Sequence, residues 1–146
     1  MILAAATMVL FTGCKKDSGN ENASEVGKWY GFNMVEDAPD KDDVAYVLDL
    51  KSDKSVDFII SAWGERYQGT YTYDGAVVTV NYTKILSRPS AIDYVDIYDE
   101  SPCAPANLYK HWVESEGSGT REIKFTYSGN TGEIDMANKP CYAERQ

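Results

Sequence analysis

V-D-F-I-I-S-A-W-G-E-R-Y-Q-G-T-Y-T-Y-D-G-A-V-V-T-V-N-Y-T, residues Val56–Thr83, decides the fold. Three alternating runs are broken at Gly64 and at Asp74-Gly75. An Asp-Gly pair supplies the positive φ angles of a tight two-residue hairpin turn, and the β-branched and aromatic residues around it recur at period two. The stretch therefore reads as an antiparallel meander. Tyr67, Gly69, Tyr71 and Tyr73 fall on one face, opposite Ala76, Val78, Val80 and Tyr82. Buried tyrosine hydroxyls need partners, which suits a core edge or a ligand cavity better than a dry centre.

Outward from this stretch the alternation continues. Val44–Lys51 and Lys54–Ala62 pair across Ser52-Asp53, with Val44, Tyr46, Leu48 and Leu50 facing Val56, Phe58, Ile60 and Ala62. Asp49, Lys51, Asp57 and Ser61 point the other way, as expected of a sheet packed on one side and wet on the other. Gly27–Met34 is the first strand. Between it and the next, Val35–Asp43 reads as a solvated acidic loop around Pro39, because its carboxylates lack the spacing and terminal Glu of a calcium loop. Downstream, Lys84–Asn107 is irregular and proline-containing, with Ile92–Tyr98 a short helix or strand. Leu108–Glu114 is a strand, and Ile123, Phe125 and Tyr127 form a last hairpin with Ile134 and Met136. About eight strands result.

The first 13 residues carry no charge, whereas the rest of the chain is strongly charged. This apolar run is too short for a helix spanning a ~30 Å hydrocarbon core and suits a secretory leader. Phe11-Thr12-Gly13-Cys14 resembles a bacterial lipobox, so Cys14 is the expected lipidated first residue of the mature protein. The alternative is a structural cysteine in an ordinary N-terminal helix. No basic residue precedes the run, which leads us to expect a translation start further upstream. The expected organisation is a signal peptide over 1–13, a lipidated N-terminus and tether over 14–25, and one folded domain over 26–146. In an oxidising compartment the remaining cysteines, Cys103 and Cys141, are expected to form a disulfide, worth ~3–4 kcal/mol for a loop of roughly forty residues.

The net charge of −9 argues against nucleic acid, which needs clustered Lys and Arg. No catalytic constellation is evident. The single histidine, His111, has no acid spaced to orient it. With one histidine and cysteines expected to be bridged, only carboxylates remain for a metal, and no Gly-rich phosphate loop follows a strand. Neither cofactor nor metal is expected, and the chain reads as a non-enzyme.

Gly27-Lys28-Trp29 matches the G-x-W with which lipocalins open. Together with the leader, the run L-D-L-K-S-D-K-S-V-D-F at Leu48–Phe58 and G-T-Y-T-Y-D-G at Gly69–Gly75, it resembles the lipocalin-like lipoproteins of Bacteroidetes, mainly over Val26–Thr83. The residues just after Cys14 are similar to those lipoproteins' starts. The resemblance implies an all-β, single-domain, antiparallel up-and-down barrel of about eight strands, with the first-strand tryptophan closing its bottom. It also implies an outer-membrane lipoprotein, at the cell surface or on the periplasmic face. No T-D-Y motif is present, and no closing arginine is found after the last strands.

Two functions follow as expectations. In the first, the barrel binds a small apolar or amphipathic ligand, with Trp29, Phe58, Tyr71, Tyr73 and Tyr82 as cavity wall and the 35–43 and 84–107 loops as rim. In the second, a filled, non-enzymatic barrel presents acidic loops to a protein or glycan partner. Interior volume separates the two, since an eight-stranded barrel either fills with side chains or holds one small ligand. Gly69, Ala62 and Ala76 would open space, and many inward rings would close it.

Overall fold

A computed structural model describes residues 24–88 and 112–146. Its strands are β1 (Gly27–Val35), β2 (Ala38–Leu50), β3 (Ser55–Ile60), β4 (Glu65–Tyr73), β5 (Val77–Ser87), β6 (Val113–Ser115), β7 (Gly119–Ser128), β8 (Thr131–Met136) and β9 (Lys139–Arg145). A 3₁₀ turn, Ser61–Trp63, joins β3 to β4 and ends on Gly64 in the left-handed conformation, φ 63°. All pairings are antiparallel, and each strand bonds to its sequence neighbours except that β6 and β7 both pair with β5 and not with each other. β9 returns to β1 with Trp29 opposite Arg145 and Gly31 opposite Ala143, closing an eight-stranded up-and-down barrel. β6 is the upstream extension of β7, since both pair with β5, at Ser87–Ile85 and Tyr82–Val77 respectively.

Strand direction fixes two ends. The lower end carries residues 51–54, 74–76 and 129–130 together with the start of β1 and the end of β9. The upper end carries 36–37, 61–64, 137–138 and the chain entering and leaving 88–112. Closure pairs the barrel wall on both sides of its strands, while β6 and the β1–β2 arm beyond Phe32 keep an edge.

The interior is a continuous core. Trp29, Leu48, Phe58, Val78, Val80, Ile123, Phe125, Ile134 and Ala143 are fully buried within it. Every second residue of β2, β3, β5 and β7 contributes, the pattern expected of a pleated wall with one dry face. A second cluster, Tyr30, Phe32, Val44 and Val47, lies on the outward face of β1 and β2, with Ile59 and Tyr142 beside it. Lys41 lies over the rings of Phe32 and Tyr142, at 4.6 and 5.0 Å, and Lys28 lies over Tyr30 at 5.4 Å. This wall is therefore not a plain solvent face.

Three sequence expectations need correction. The acidic loop at 35–43 is a strand: β2 begins at Ala38, and only Glu36 and Asp37, both at positive φ, form the turn. Pro39 is tolerated because β2 there pairs only with the end of β1, past two register shifts. The Asp74-Gly75 turn is wider than expected, since Tyr73 pairs with Val78 and Ala76 lies outside the strand. Asp74 Oδ1 instead accepts from the backbone N–H groups of Ala76 and Val77, at 2.8 and 2.7 Å. Finally, β9 was not expected from sequence, so the eighth barrel strand is a different one from that anticipated at Leu108–Glu114, of whose described residues Val113 and Glu114 fall within a strand.

Candidate functional site

The floor of the barrel is built around Trp29. Its ring meets Phe125 edge-on at 5.0 Å and Tyr127 at 5.4 Å. The Arg145 guanidinium covers it at 4.5 Å, and the indole Nε1–H donates to the Glu25 carbonyl at 3.0 Å. Arg145 Nη2 in turn donates to the Ser24 carbonyl at 2.7 Å. Glu25 Oε1 accepts from Lys54 Nζ at 2.8 Å and from the Tyr71 hydroxyl at 3.2 Å. The Lys54 hydrogen bond is the main reason the Glu25 carboxyl is held below its ordinary pKa. Ser24 and Glu25, expected in the tether, thus belong to the floor. Arg145 was not singled out from sequence, and its contact with Trp29 spans the β1–β9 seam.

The five residues expected to line a cavity are inward, but they pack on one another. Trp29, Phe58 and Tyr71 are buried, and Tyr73 and Tyr82 pack against the same core. Phe58 stacks with Tyr46 at 6.1 Å and with Tyr67 at 6.3 Å, and Tyr67 meets Tyr82 at 5.0 Å. Tyr73 packs on Phe125 at 5.8 Å and donates to the Phe125 carbonyl at 3.0 Å. The small residues open nothing. Ala62 and Ala76 are exposed in turns. Gly69 sits where a Cβ would overlap the Asn81 carbonyl oxygen, so β5 presses onto it at the β4–β5 register shift.

The upper mouth has a different chemistry. Glu65, Tyr67, Tyr82, Ile85 and Arg121 share the inward face there, by alternation with Val80 and Phe58. The Tyr67 hydroxyl donates to Glu65 Oε2 and accepts from Arg121 Nη2 at 2.6 Å. Arg121 Nη2 lies 3.7 Å from Glu65 Oε2. Burial, reinforced by the hydrogen bond to Glu65, pushes the Tyr67 phenol up to about 12. Arg121 also stacks on the rings of Tyr67, at 4.5 Å, and Trp63, at 5.6 Å, while its Nε is buried without a hydrogen-bond partner. Gly119 leaves room for the Tyr82 hydroxyl, which would stand 2.6 Å from a Cβ there. Among the described residues the exposed large apolar side chains are Met34 (46 %), Val35 (56 %), Trp63 (51 %) and Val113 (54 %). All four lie at the upper end. The pairing of Trp63, Glu65 and Arg121 has no local sequence signal, because it joins a turn, a strand end and a strand 56 residues further on.

Surface depressions also lie elsewhere among the described residues. One, of ≈ 200 Å³, is on the outer wall between Val77, Lys124 and Asp135. Another, of ≈ 390 Å³, is open and follows Glu114–Ser118 beside Thr83. Cys141 is a free thiol on the inner face of β9, opposite Ile134, and burial pushes its pKa up. It belongs to the buried core cluster. Its expected partner Cys103, the lipidation residue Cys14 and His111 lie outside the described residues. Compared with protein-family models, curated proteins and solved structures, the chain matches none.

Proposed function

We propose that this chain is a non-enzymatic envelope lipoprotein whose filled barrel recognises its target through the upper mouth. The observation that carries this reading is the division of labour between the ends. At the lower end Trp29, Arg145, Ser24 and Glu25 are held together by ring contacts and hydrogen bonds, whereas every large apolar side chain left exposed among the described residues is at the upper end. Large apolar side chains left exposed at one end beside polar groups favour that end as the interaction site. Ser24, the first described residue, lies at the floor, so the segment that carries Cys14 joins the barrel at the end opposite the mouth. Of the two functions expected from sequence, the filled barrel presenting a surface is favoured over the internal ligand. The surface consists of the β1–β2 and β3–β4 turns and the start of β6.

Native mass spectrometry of the protein purified from its host tests this. The expected mass is that of the polypeptide with its N-terminal lipid. A stoichiometric apolar molecule that stays bound after Trp63→Ala and Met34→Ser would place the ligand in the interior and overturn the reading.

A further inference from the structure

We infer that the upper mouth binds a neutral carbohydrate, with Trp63 as the stacking platform and the Glu65–Arg121 pair as the group that reads hydroxyls. The inference rests on the mouth being the recognition end. Trp63 is half exposed, and Arg121 stacks on its ring at 5.6 Å. A tryptophan held in that way offers a flat apolar surface matched to the C–H face of a sugar ring. Beside it, Arg121 and Glu65 are each about one-third exposed, at 32 % and 36 %, so both can be reached. A hydroxyl both donates and accepts, and this pair supplies one partner of each kind: the guanidinium donates only, and the carboxylate accepts only.

Charge decides between this ligand class and an anionic amphiphile. Arg121 is paired with Glu65, which offsets its charge, and the Arg88 side chain that packs on Gly64 beside Trp63 has an interaction of its own. The chain as a whole carries −9, which repels anions further. An uncharged ligand rich in hydroxyls meets neither obstacle.

Calorimetric titration of the full-length protein with soluble oligomers of glucose, mannose, galactose, xylose and N-acetylglucosamine, and with sodium oleate as the anionic amphiphile, is the test. At least one neutral oligomer should bind saturably. Trp63→Ala should weaken it at least tenfold and Glu65→Gln several-fold, with the melting temperature of Trp63→Ala within about 2 °C of wild type because the side chain is half exposed. No oligomer binding overturns the inference. Oleate binding that depends on Trp63 and Arg121 overturns the carbohydrate class and leaves the mouth as recognition end. Oligomer binding unchanged in Trp63→Ala overturns the mouth as well.

Discussion

Arg145, the last residue of β9, stacks on Trp29 of β1 with its guanidinium carbon 4.5 Å from the ring centroid, directly across the seam that closes the barrel. The two residues are 116 positions apart in the chain. One contact therefore joins the first and last strands, buries the floor tryptophan and ties down the Ser24 carbonyl.

Replacing Arg145 by Ala removes a partly desolvated cation–π contact and a charge-assisted hydrogen bond, and is expected to cost about 2 kcal/mol. Lys keeps the charge but not the planar fork, so Arg145→Lys should recover less than half of the loss. Urea unfolding followed by tryptophan fluorescence measures both. Equal stability of Arg145→Ala and wild type would remove Arg145 from the floor.

Phe58→Ala should cost about 3–5 kcal/mol, the range for truncating a fully buried aromatic residue in a close-packed core. Phe58 is completely buried and stacked on both sides by Tyr46 and Tyr67. Were it the wall of an open cavity, the same change would be nearly neutral. Chemical denaturation distinguishes the two outcomes.

The β8–β9 turn places Ala137 at φ 59° and Asn138 at φ 60°, the left-handed conformation that a two-residue hairpin of this kind demands. Alanine adopts it only with strain, because its Cβ crowds the following carbonyl. Ala137→Asn with Asn138→Gly should stabilise the protein by about 0.5–1 kcal/mol. A rise in the urea midpoint with an unchanged m-value is the expected signature.

Tyr67 sets part of the alkaline limit. Its phenol, at about 12, lies above the unfolded value of 10.0, so the fold favours the neutral form. The stability this contributes is complete below pH 10 and is lost as pH rises toward 12. Burial shifts Tyr46, Tyr71, Tyr73, Tyr127 and Tyr142 in the same direction. Tyr67→Phe should therefore lessen, without abolishing, the fall in urea midpoint between pH 10 and 12. An unchanged slope would refute the assignment.

Cys141 is buried and inward, so it should resist thiol reagents in the native protein and react once unfolded, without any reductant. A bridge to Cys103 predicts no reaction of Cys141 in either state until reductant is added. Mass-resolved labelling of the tryptic peptide carrying Cys141 separates these cases.

The meander was legible because its signals are local. Period-two alternation from Tyr46 to Tyr82 specifies which face is buried, and the structure pairs Tyr71 with Val80 and Tyr73 with Val78 on the face expected, whereas Val44, expected inward with Tyr46, lies on the outer face past the register shift at Gly31 and Phe32. β9 escaped because A-N-K-P-C-Y-A-E-R mixes proline and charge with small residues, and nothing local marks Cys141 and Ala143 as inward. Missing that strand hid Arg145 as well. The acidic run at 35–43 read as a loop because charge and proline are usually found there, whereas pairing with Met34 and Val35 extends it as a hairpin arm. The inward aromatic residues were identified correctly as inward. Whether they enclose space depends on ring-to-ring distances across the barrel, which composition does not encode. The mouth cluster likewise depends on closure, which brings Trp63 to Arg121.

Xenon binding followed by ¹²⁹Xe NMR tests the filled interior most directly, because xenon enters dry apolar cavities that water leaves empty. Wild-type protein is expected to show only the weak, linear shift of non-specific surface contact, and Phe58→Ala, if it remains folded, to gain a saturable site. Saturable xenon binding to the wild-type barrel would contradict a filled core and return the interior to the role of ligand cavity.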